Sequence, residues 1–195
     1  MVALLMIVSI FGSGCMMKRN LVGAGSLDEI EAADFAVLRI NEFVAKGSEN
    51  KNEYGTTEDW LEIYNPGTRD IKLEEGRWYI TDEALVDPER FALPEVTIPA
   101  GGFLLLWCDG LSIVDEEIHT NFRLSSGGEE LGLFYDEGKK LRLIDSYSFG
   151  AQKQKAVSYG RMLDGDADWG VFAHPTPGSP NQQFETKGKK NQAGI

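Results

Sequence analysis

The sequence predicts an all-β protein, built as an antiparallel sandwich or barrel. Six short runs after residue 36 are rich in aliphatic, β-branched and aromatic residues, and clusters of Gly, Pro and Asp separate them. No stretch after residue 36 repeats apolar residues at the three- and four-residue spacing of an amphipathic helix. Glycine accounts for 22 of the 195 residues, as expected of a chain that turns often.

The six runs are interpreted as strands. In chain order they cover residues 37–43, 59–65, 77–81, 103–108, 130–135 and 141–147. In the first run Leu38 and Ile40 share one face of an extended chain, as in a strand with one face buried. The fourth run is apolar throughout, which predicts a central strand covered on both faces. The last two are joined by Asp136-Glu137-Gly138, a turn typical of a hairpin.

Length and composition are those of one globular domain with short extensions. Of the 195 residues, 42% are hydrophobic and 26% are charged. A domain of about 150 residues buries enough surface to hold a core without a disulfide or a metal ion. The formal net charge of −12 repels phosphate backbones, so no nucleic-acid partner is expected.

The first fifteen residues resemble a bacterial lipoprotein leader. Residues 1–11 are apolar apart from Ser9, and the run is shorter than the roughly 20 apolar residues that span a membrane. The small residues before Cys15 resemble a lipobox, which predicts a signal peptide over 1–15, lipidation of Cys15 and attachment to a membrane of the bacterial cell envelope, facing the periplasm or the exterior. Because Gly12 replaces the usual Leu and no basic residue precedes the run, an ordinary signal peptide or a short uncleaved anchor is the alternative.

The remaining chain divides into three parts. Residues 16–35 mix Gly, Ser and acids without a period, which predicts a flexible tether. Residues 36–182 hold the strands, and residues 183–195 are predicted to be a disordered basic tail. Cys108, the other cysteine, is expected to be a small buried hydrophobe, with no disulfide to Cys15 and no zinc site.

Ordered sequence blocks carry a family resemblance. They are Ile40-Asn41-Glu42-Phe43, Asp59-Trp60-Leu61-Glu62-Ile63-Tyr64-Asn65-Pro66-Gly67, Trp78-Tyr79-Ile80-Thr81-Asp82, Phe91-Ala92-Leu93-Pro94, the run from Ile98 to Trp107, His119-Thr120-Asn121-Phe122-Arg123-Leu124-Ser125, Gly127-Gly128-Glu129, Asp145-Ser146, Ser158-Tyr159-Gly160-Arg161 and Pro175-Thr176-Pro177-Gly178. Together, over about residues 37–181, they resemble the lamin tail domain. The resemblance implies an immunoglobulin-like antiparallel β-sandwich.

The same resemblance implies a function without catalysis. We expect a non-enzymatic module of the cell envelope that binds a protein or a surface polymer, or links envelope components, and that needs no cofactor. Loops 44–58, 82–97 and 109–118 are the longest and most polar, and they are the predicted contact surface. Bacterial copies of this domain are often attached to hydrolases, so the alternative is an accessory or metal-dependent hydrolytic lipoprotein.

Sequence motifs give little support to catalysis. The two histidines, His119 and His174, have no catalytic partner nearby in the sequence, so neither is expected to be a general base. The nucleophile elbow, the zinc-protease helix motif, the P-loop and the complete dinucleotide-binding motif are all absent from the sequence. No catalytic residue is therefore predicted.

Polar residues at strand ends are the main alternative source of chemistry. Four of them could meet as paired carboxylates or cation ligands: Asn41, Glu42, Asp59 and Glu62. Glu62, the candidate binding residue, shares a strand face with Trp60 and Tyr64. It is therefore expected to be partly buried and hydrogen-bonded to backbone or to a tyrosine, or paired with Arg77 or Arg161.

Three alternating aspartates, Asp164, Asp166 and Asp168, are the candidate metal ligands. Their spacing is typical of the opening of a calcium loop. The sixth position is Trp169, where an EF-hand needs Gly, and the twelfth is Pro175, where it needs Glu. A solvated hairpin turn is therefore the preferred interpretation, and no metal site is predicted.

The four tryptophans could form a carbohydrate-binding platform. They are Trp60, Trp78, Trp107 and Trp169, and three lie within predicted strands. Because tryptophans in strands usually pack in the core, a core position is expected.

Overall fold

The computed structural model describes residues 37–181, and all regular secondary structure in that range is β-strand. The strands are β1 (Arg39–Val44), β2 (Trp60–Tyr64), β3 (Ile71–Leu73), β4 (Trp78–Thr81), β5 (Phe91–Ala92), β6 (Val96–Ile98), β7 (Phe103–Trp107), β8 (Ile113–Val114), β9 (Ile118–His119), β10 (Glu129–Asp136), β11 (Leu141–Phe149), β12 (Ser158–Arg161) and β13 (Trp169–Phe172). Over this range, no helix has the length and hydropathy needed to cross a membrane. The predicted leader, Cys15, the tether and the basic tail lie outside the described residues.

Two sheets enclose the core. One has seven strands in the order β13-β12-β1-β2-β7-β9-β8, and the other has four in the order β11-β10-β4-β5. β3 and β6 form a separate two-stranded ribbon. The pairings are antiparallel except for β7 with β9, which run parallel. The all-β class and the antiparallel sandwich predicted from the sequence are confirmed.

A bulge in β1 sets which side chains enter the core. Ile40 pairs with Ile63 and Phe43 with Leu61, but the register shifts between Ile40 and Glu42, so Asn41 is an extra residue. The shift allows Ile40 and Phe43, three residues apart, to be buried together in the core. It also releases the Asn41 side chain for a polar cluster described below.

The main core lies between the sheets. Its members from the larger sheet include Ile40, Leu61, Ile63 and Leu106, and those from the smaller sheet include Trp78, Ile80, Leu131 and Leu133. Aromatic rings join the sheets at one end. Phe43 lies 4.5 Å from Phe149 between ring centroids, and Tyr147 stacks on Trp169 at 3.6 Å. The strands are therefore held by apolar contacts across the sandwich as well as by their hydrogen bonds.

All six predicted strands are present, but shorter strands were missed. The stretch 82–97, predicted to be a loop, contains β5 and part of β6, and the stretch 109–118 contains β8 and the start of β9. The loop assignment of these segments is therefore wrong in part. Strands of two or three residues are too short to show apolar and polar alternation. The prediction that β7 is covered on both faces holds for Leu106 and Trp107, whereas residues 103–105 are half-buried.

Candidate functional site

Two glutamates form the most buried acidic pair in the described part of the chain. Glu42 on β1 lies directly opposite Glu62 on β2, and both side chains are fully buried. Glu62 accepts hydrogen bonds from Asn41 Nδ2 at 3.0 Å and from the Gly178 backbone N–H at 2.9 Å. The predicted hydrogen bond between Glu62 and the backbone is therefore present, with a donor 116 residues away, and the side chain is more deeply buried than the partial burial predicted.

Glu42, like Glu62, accepts hydrogen bonds from residues near the C-terminal end of the described chain. The hydroxyl of Ser158 donates to its Oε1, and both the backbone N–H and the hydroxyl of Thr176 donate to its Oε2, at 3.1 and 2.9 Å. Residues 174–181, here called the closing segment, thus supply donors to both buried acids. The pair holds this segment against the outer face of the larger sheet.

Burial changes the protonation of this pair. It raises the pKa of Glu62 to about 8, against the opposing effect of the donors from Asn41 and Gly178. It also raises the pKa of Glu42, and the donors from Ser158 and Thr176 act in the opposite direction. Two adjacent buried carboxyls avoid repulsion most readily when one is protonated. Their oxygens are occupied by donors from the protein, so the arrangement is a structural latch.

Gly160 provides the space for this latch. It pairs with Glu42 across β1 and β12. A methyl group at position 160 would lie 2.9 Å from Asn181 Nδ2 and 3.1 Å from the Glu42 side chain. A larger residue would therefore displace the end of the closing segment or the buried acid.

Arg161 pairs with Asp145 and not with Glu62. Its Nη2 lies 2.7 Å from Asp145 Oδ2, and its Nε donates to the Ile40 carbonyl at 2.7 Å. The same Asp145 oxygen accepts the Ile40 backbone N–H at 2.8 Å. The two side chains of the ion pair thus hydrogen-bond both the N–H and the carbonyl of Ile40, the residue next to the bulge. Arg77 likewise bonds elsewhere, to the hydroxyl of Tyr135.

The three candidate calcium ligands have separate partners. Asp164 accepts bonds from Asn41 Nδ2 and the Asn181 backbone N–H, both at 3.0 Å, and so belongs to the latch. Asp166 accepts the N–H of Ala167, and Asp166 and Asp168 are both exposed. Within residues 37–181, the side chains whose donor atoms lie close enough together to hold a metal ion are in a different cluster, which is described below.

Other candidates from the sequence also lie apart from the latch. Burial raises the pKa of Asp59 to about 6, and the charges that act on it are those of Glu58 and Arg123 and not that of Glu62. Cys108 is buried, as predicted. The core positions predicted for the tryptophans are confirmed for three, since Trp60, Trp78 and Trp107 are at most 1% exposed, whereas Trp169 is half-buried against the core.

A second polar cluster surrounds His119, which is fully buried on β9. Its Nδ1 lies 2.6 Å from Asp109 Oδ2, and its Nε2 lies 3.0 Å from Glu53 Oε1. Glu117 completes the cluster by accepting the Glu53 backbone N–H at 2.8 Å and the Trp107 indole N–H at 2.7 Å. Sequence reasoning missed this cluster because Glu53 is 66 residues from His119. The two-residue spacing of Glu117 and His119 could have indicated part of the cluster, because it places both side chains on one face of a strand.

The carboxylates determine the charge of this cluster. Burial alone would lower the pKa of His119, but hydrogen bonds to Asp109 and Glu53 raise it above its ordinary value. Burial also raises the pKa of Glu117, and its contact with Glu53 adds to the rise. With carboxylates at both ring nitrogens, the imidazole is suited to holding a proton or a metal ion, and poorly suited to taking a proton from a substrate.

A groove of about 360 Å³ lies beside this cluster. Apolar side chains line it from three segments: Val96, Leu104, Leu105, Trp107 and Val114. Exposed acids share the lining, among them Asp115 and Glu116. The groove runs between two of the predicted contact segments, 82–97 and 109–118. The His119 cluster joins the third, 44–58, to the hairpin of β8 and β9.

One backbone edge is open beside the groove. β9 pairs with β7 only at Leu106 and Trp107. Over the described residues, Phe103, Leu104 and Leu105 therefore have a paired strand on one side only, namely β2. Such an edge presents backbone donors and acceptors to any extended chain that approaches it.

Comparison with known proteins agrees with this architecture. A family model of the lamin tail domain matches residues 31–151, more than half of the chain, which includes β1 to β11. β12, β13 and the closing segment follow the matched region, and β12 pairs with β1 of the larger sheet. No curated protein matches the chain closely enough to count as a relative. The family is an immunoglobulin-like, generally non-enzymatic fold, and the chain belongs to the lamin tail domain family.

Proposed function

We propose that this protein is a non-catalytic binding module that takes an extended, basic and partly apolar segment of a partner protein into the groove. The observation that carries the proposal is the open edge of β7 at Phe103–Leu105, with apolar and acidic side chains beside it. An added strand gains main-chain hydrogen bonds from such an edge, and the flanking side chains select its sequence.

Charge supports a basic partner. Asp115 and Glu116 are exposed along the groove, and the whole chain carries a formal net charge of −12. Val114 is 54% exposed and Leu111 is 47% exposed on the adjacent hairpin, so apolar surface is also available. A segment that alternates lysine with leucine would place its apolar side chains on one side of the added strand and its charges on the other.

The latch supports a role without catalysis. Glu42 and Glu62, two of the candidate carboxyls, face each other on adjacent strands, and both are fully buried. Their oxygens are committed to donors from Asn41, Ser158, Thr176 and Gly178. A general acid or nucleophile must reach its substrate, which these side chains do not.

The proposal is tested with labelled peptides and fluorescence anisotropy on the full chain. A lysine-leucine alternating peptide is expected to bind at least tenfold more tightly than a glutamate-leucine or a lysine-serine peptide of the same length, because only the first satisfies both the acids and the apolar lining. Equal binding of all three peptides, or of none, would reject the groove as a recognition site.

A charge reversal locates the binding. Glu116→Lys is expected to slow association of the lysine-leucine peptide several-fold and to reduce its salt dependence, because rim charges act mainly on association rate. Glu75→Lys is the matched control, since Glu75 is equally exposed but lies in the turn before β4, outside the groove lining. Equal effects of the two variants would show that only net charge matters.

We also propose that the module is held at the bacterial cell envelope by a lipid on Cys15. The support is the apolar run and small residues that precede Cys15 in the sequence. Cells fed an alkyne fatty acid should label the wild-type protein and leave Cys15→Ser unlabelled and released from the membrane fraction. Labelling that persists in Cys15→Ser would contradict the anchor, without affecting the groove.

A further inference from the structure

We propose that Glu53, Glu117 and His119 form a binding site for a divalent transition-metal ion of the Zn²⁺ type, which joins loop 44–58 to the hairpin of β8 and β9. One donor atom from each of the three side chains lies within 4.8 Å of the others. Glu117 also lines the groove, but the proposed metal site does not depend on the open edge of β7, so its failure would leave the binding proposal unchanged.

The donor geometry is close to that of a bound ion. His119 Nε2 lies 3.0 and 3.1 Å from the two carboxylate oxygens of Glu53. Ligands of a tetrahedral Zn²⁺ with bonds of about 2.0–2.2 Å lie about 3.3 Å apart, so a small displacement would admit the ion between them. Glu117 Oε2 accepts the Glu53 N–H and the Trp107 indole N–H, which fix the Glu117 carboxyl beside that of Glu53.

The surrounding residues orient the ligands as they do in metal sites. Asp109 Oδ2 lies 2.6 Å from Nδ1 of His119 and keeps a proton there, so an ion that displaced the proton from Nε2 would meet a lone pair directed at Glu53. A carboxylate behind a histidine ligand is the usual arrangement in zinc proteins. Tyr54 packs against the ring, with centroids 5.2 Å apart, and restricts its rotation.

The ligand set selects the class of metal. One imidazole nitrogen with two carboxylate oxygens suits Zn²⁺ and its neighbours in the first transition row, whereas Ca²⁺ and Mg²⁺ take oxygen ligands. An ion would also neutralise the two glutamates, which otherwise rely on the proton of His119. Three protein ligands would leave a fourth position for water.

The test is calorimetric titration of ZnCl₂ into the full chain, purified without a histidine tag and stripped with a chelator. One ion per chain is expected, and Ca²⁺ in excess should not displace it. The chain offers matched controls for the ligands. Glu117→Gln should abolish binding while Glu116→Gln, next to it but exposed, should not, and His119→Asn should abolish binding while the exposed His174→Asn should not.

A tautomer variant separates metal binding from folding. Asp109→Asn keeps the size of the side chain but places an N–H donor against Nδ1, which moves the ring proton to Nε2, where it still bonds Glu53. The fold should survive, with unchanged circular dichroism, while Zn²⁺ affinity falls by about 10–100-fold, as for other supporting residues of metal sites. Absence of bound Zn²⁺ in the wild type, or equal affinity in Asp109→Asn and the wild type, would overturn the proposal.

Discussion

At the scale of single residues, burial of charge is the main feature of this protein. Glu42 and Glu62 are fully buried on adjacent strands, where an unpaired carboxylate would be very costly. Donors from the closing segment and a raised pKa offset that cost. The pair therefore couples the position of residues 174–181 to protonation.

Stability is expected to fall as pH rises from about 4.5 to about 8, through the titration of Glu62. Its folded-state pKa of about 8 exceeds the ordinary value, so the folded state binds the proton more tightly. The contribution of Glu62 to the free energy of unfolding is complete below its pKa in the unfolded state. It is lost as pH rises through its pKa in the folded state, at up to about 1.4 kcal/mol per pH unit.

Urea denaturation from pH 4 to pH 9 measures this effect. Glu62→Gln should flatten the decline in the free energy of unfolding, because the amide carries no titrating proton, and should be more stable than the wild type at pH 9. Glu75→Gln, at an exposed site, should leave the curve unchanged. Parallel curves for the wild type and Glu62→Gln would contradict the assignment.

The sequence predicted the role of a residue where the evidence lay close to it in the chain, and missed the role where the partner residue was distant in the chain. The alternation of Trp60, Glu62 and Tyr64 was enough to predict that Glu62 is partly buried. Nothing near it indicated Gly178 as its donor, 116 residues later. Likewise, His119 had no visible partner because Glu53 approaches it only through folding.

At the scale of elements, one ion pair connects three strands of both sheets. Asp145 lies on β11 of the smaller sheet, whereas Arg161 lies on β12 and Ile40 on β1 of the larger one. The ion pair satisfies the backbone of Ile40 beside the bulge, where the β1 register shifts. The bulge and this pair are therefore one structural unit.

Asp145→Ala is expected to lower the free energy of unfolding by about 3–5 kcal/mol, because it leaves a buried guanidinium and the Ile40 N–H without their shared acceptor. The side chain of Arg161 is only 6% exposed. Asp168→Ala, at an exposed position, should change stability little. Urea denaturation of both variants makes the comparison, and a loss below 1 kcal/mol for Asp145→Ala would show that the pair adds little.

Elements were predictable where they were long enough to show a period. The six runs found from alternation correspond to β1, β2, β4, β7, β10 and β11. β5, β8 and β9 have two residues each and are defined by their partners, which no local pattern reveals. The four-residue strands β12 and β13 were also missed, although β4 of the same length was predicted. The bulge at Asn41 also has no local signature, because it follows from the pairing of β1 with β2.

At the scale of the whole molecule, the protein combines a rigid sandwich with an open edge. Its acids include two that are buried in the latch and others that are exposed along the groove. The net charge of −12, which on the sequence alone argued against a nucleic-acid partner, thereby supports a basic protein partner. The central claim is that this partner adds a strand at β7.

Hydrogen–deuterium exchange of the full chain, with and without the lysine-leucine peptide, tests that claim most directly. A strand added at β7 should slow exchange at Phe103–Leu105 and at residues 114–118 when the peptide is bound. It should leave exchange unchanged along β11, the edge strand of the smaller sheet, which serves as an internal control. Protection of β11 equal to that of β7, or saturating peptide without protection at Phe103–Leu105, would contradict it.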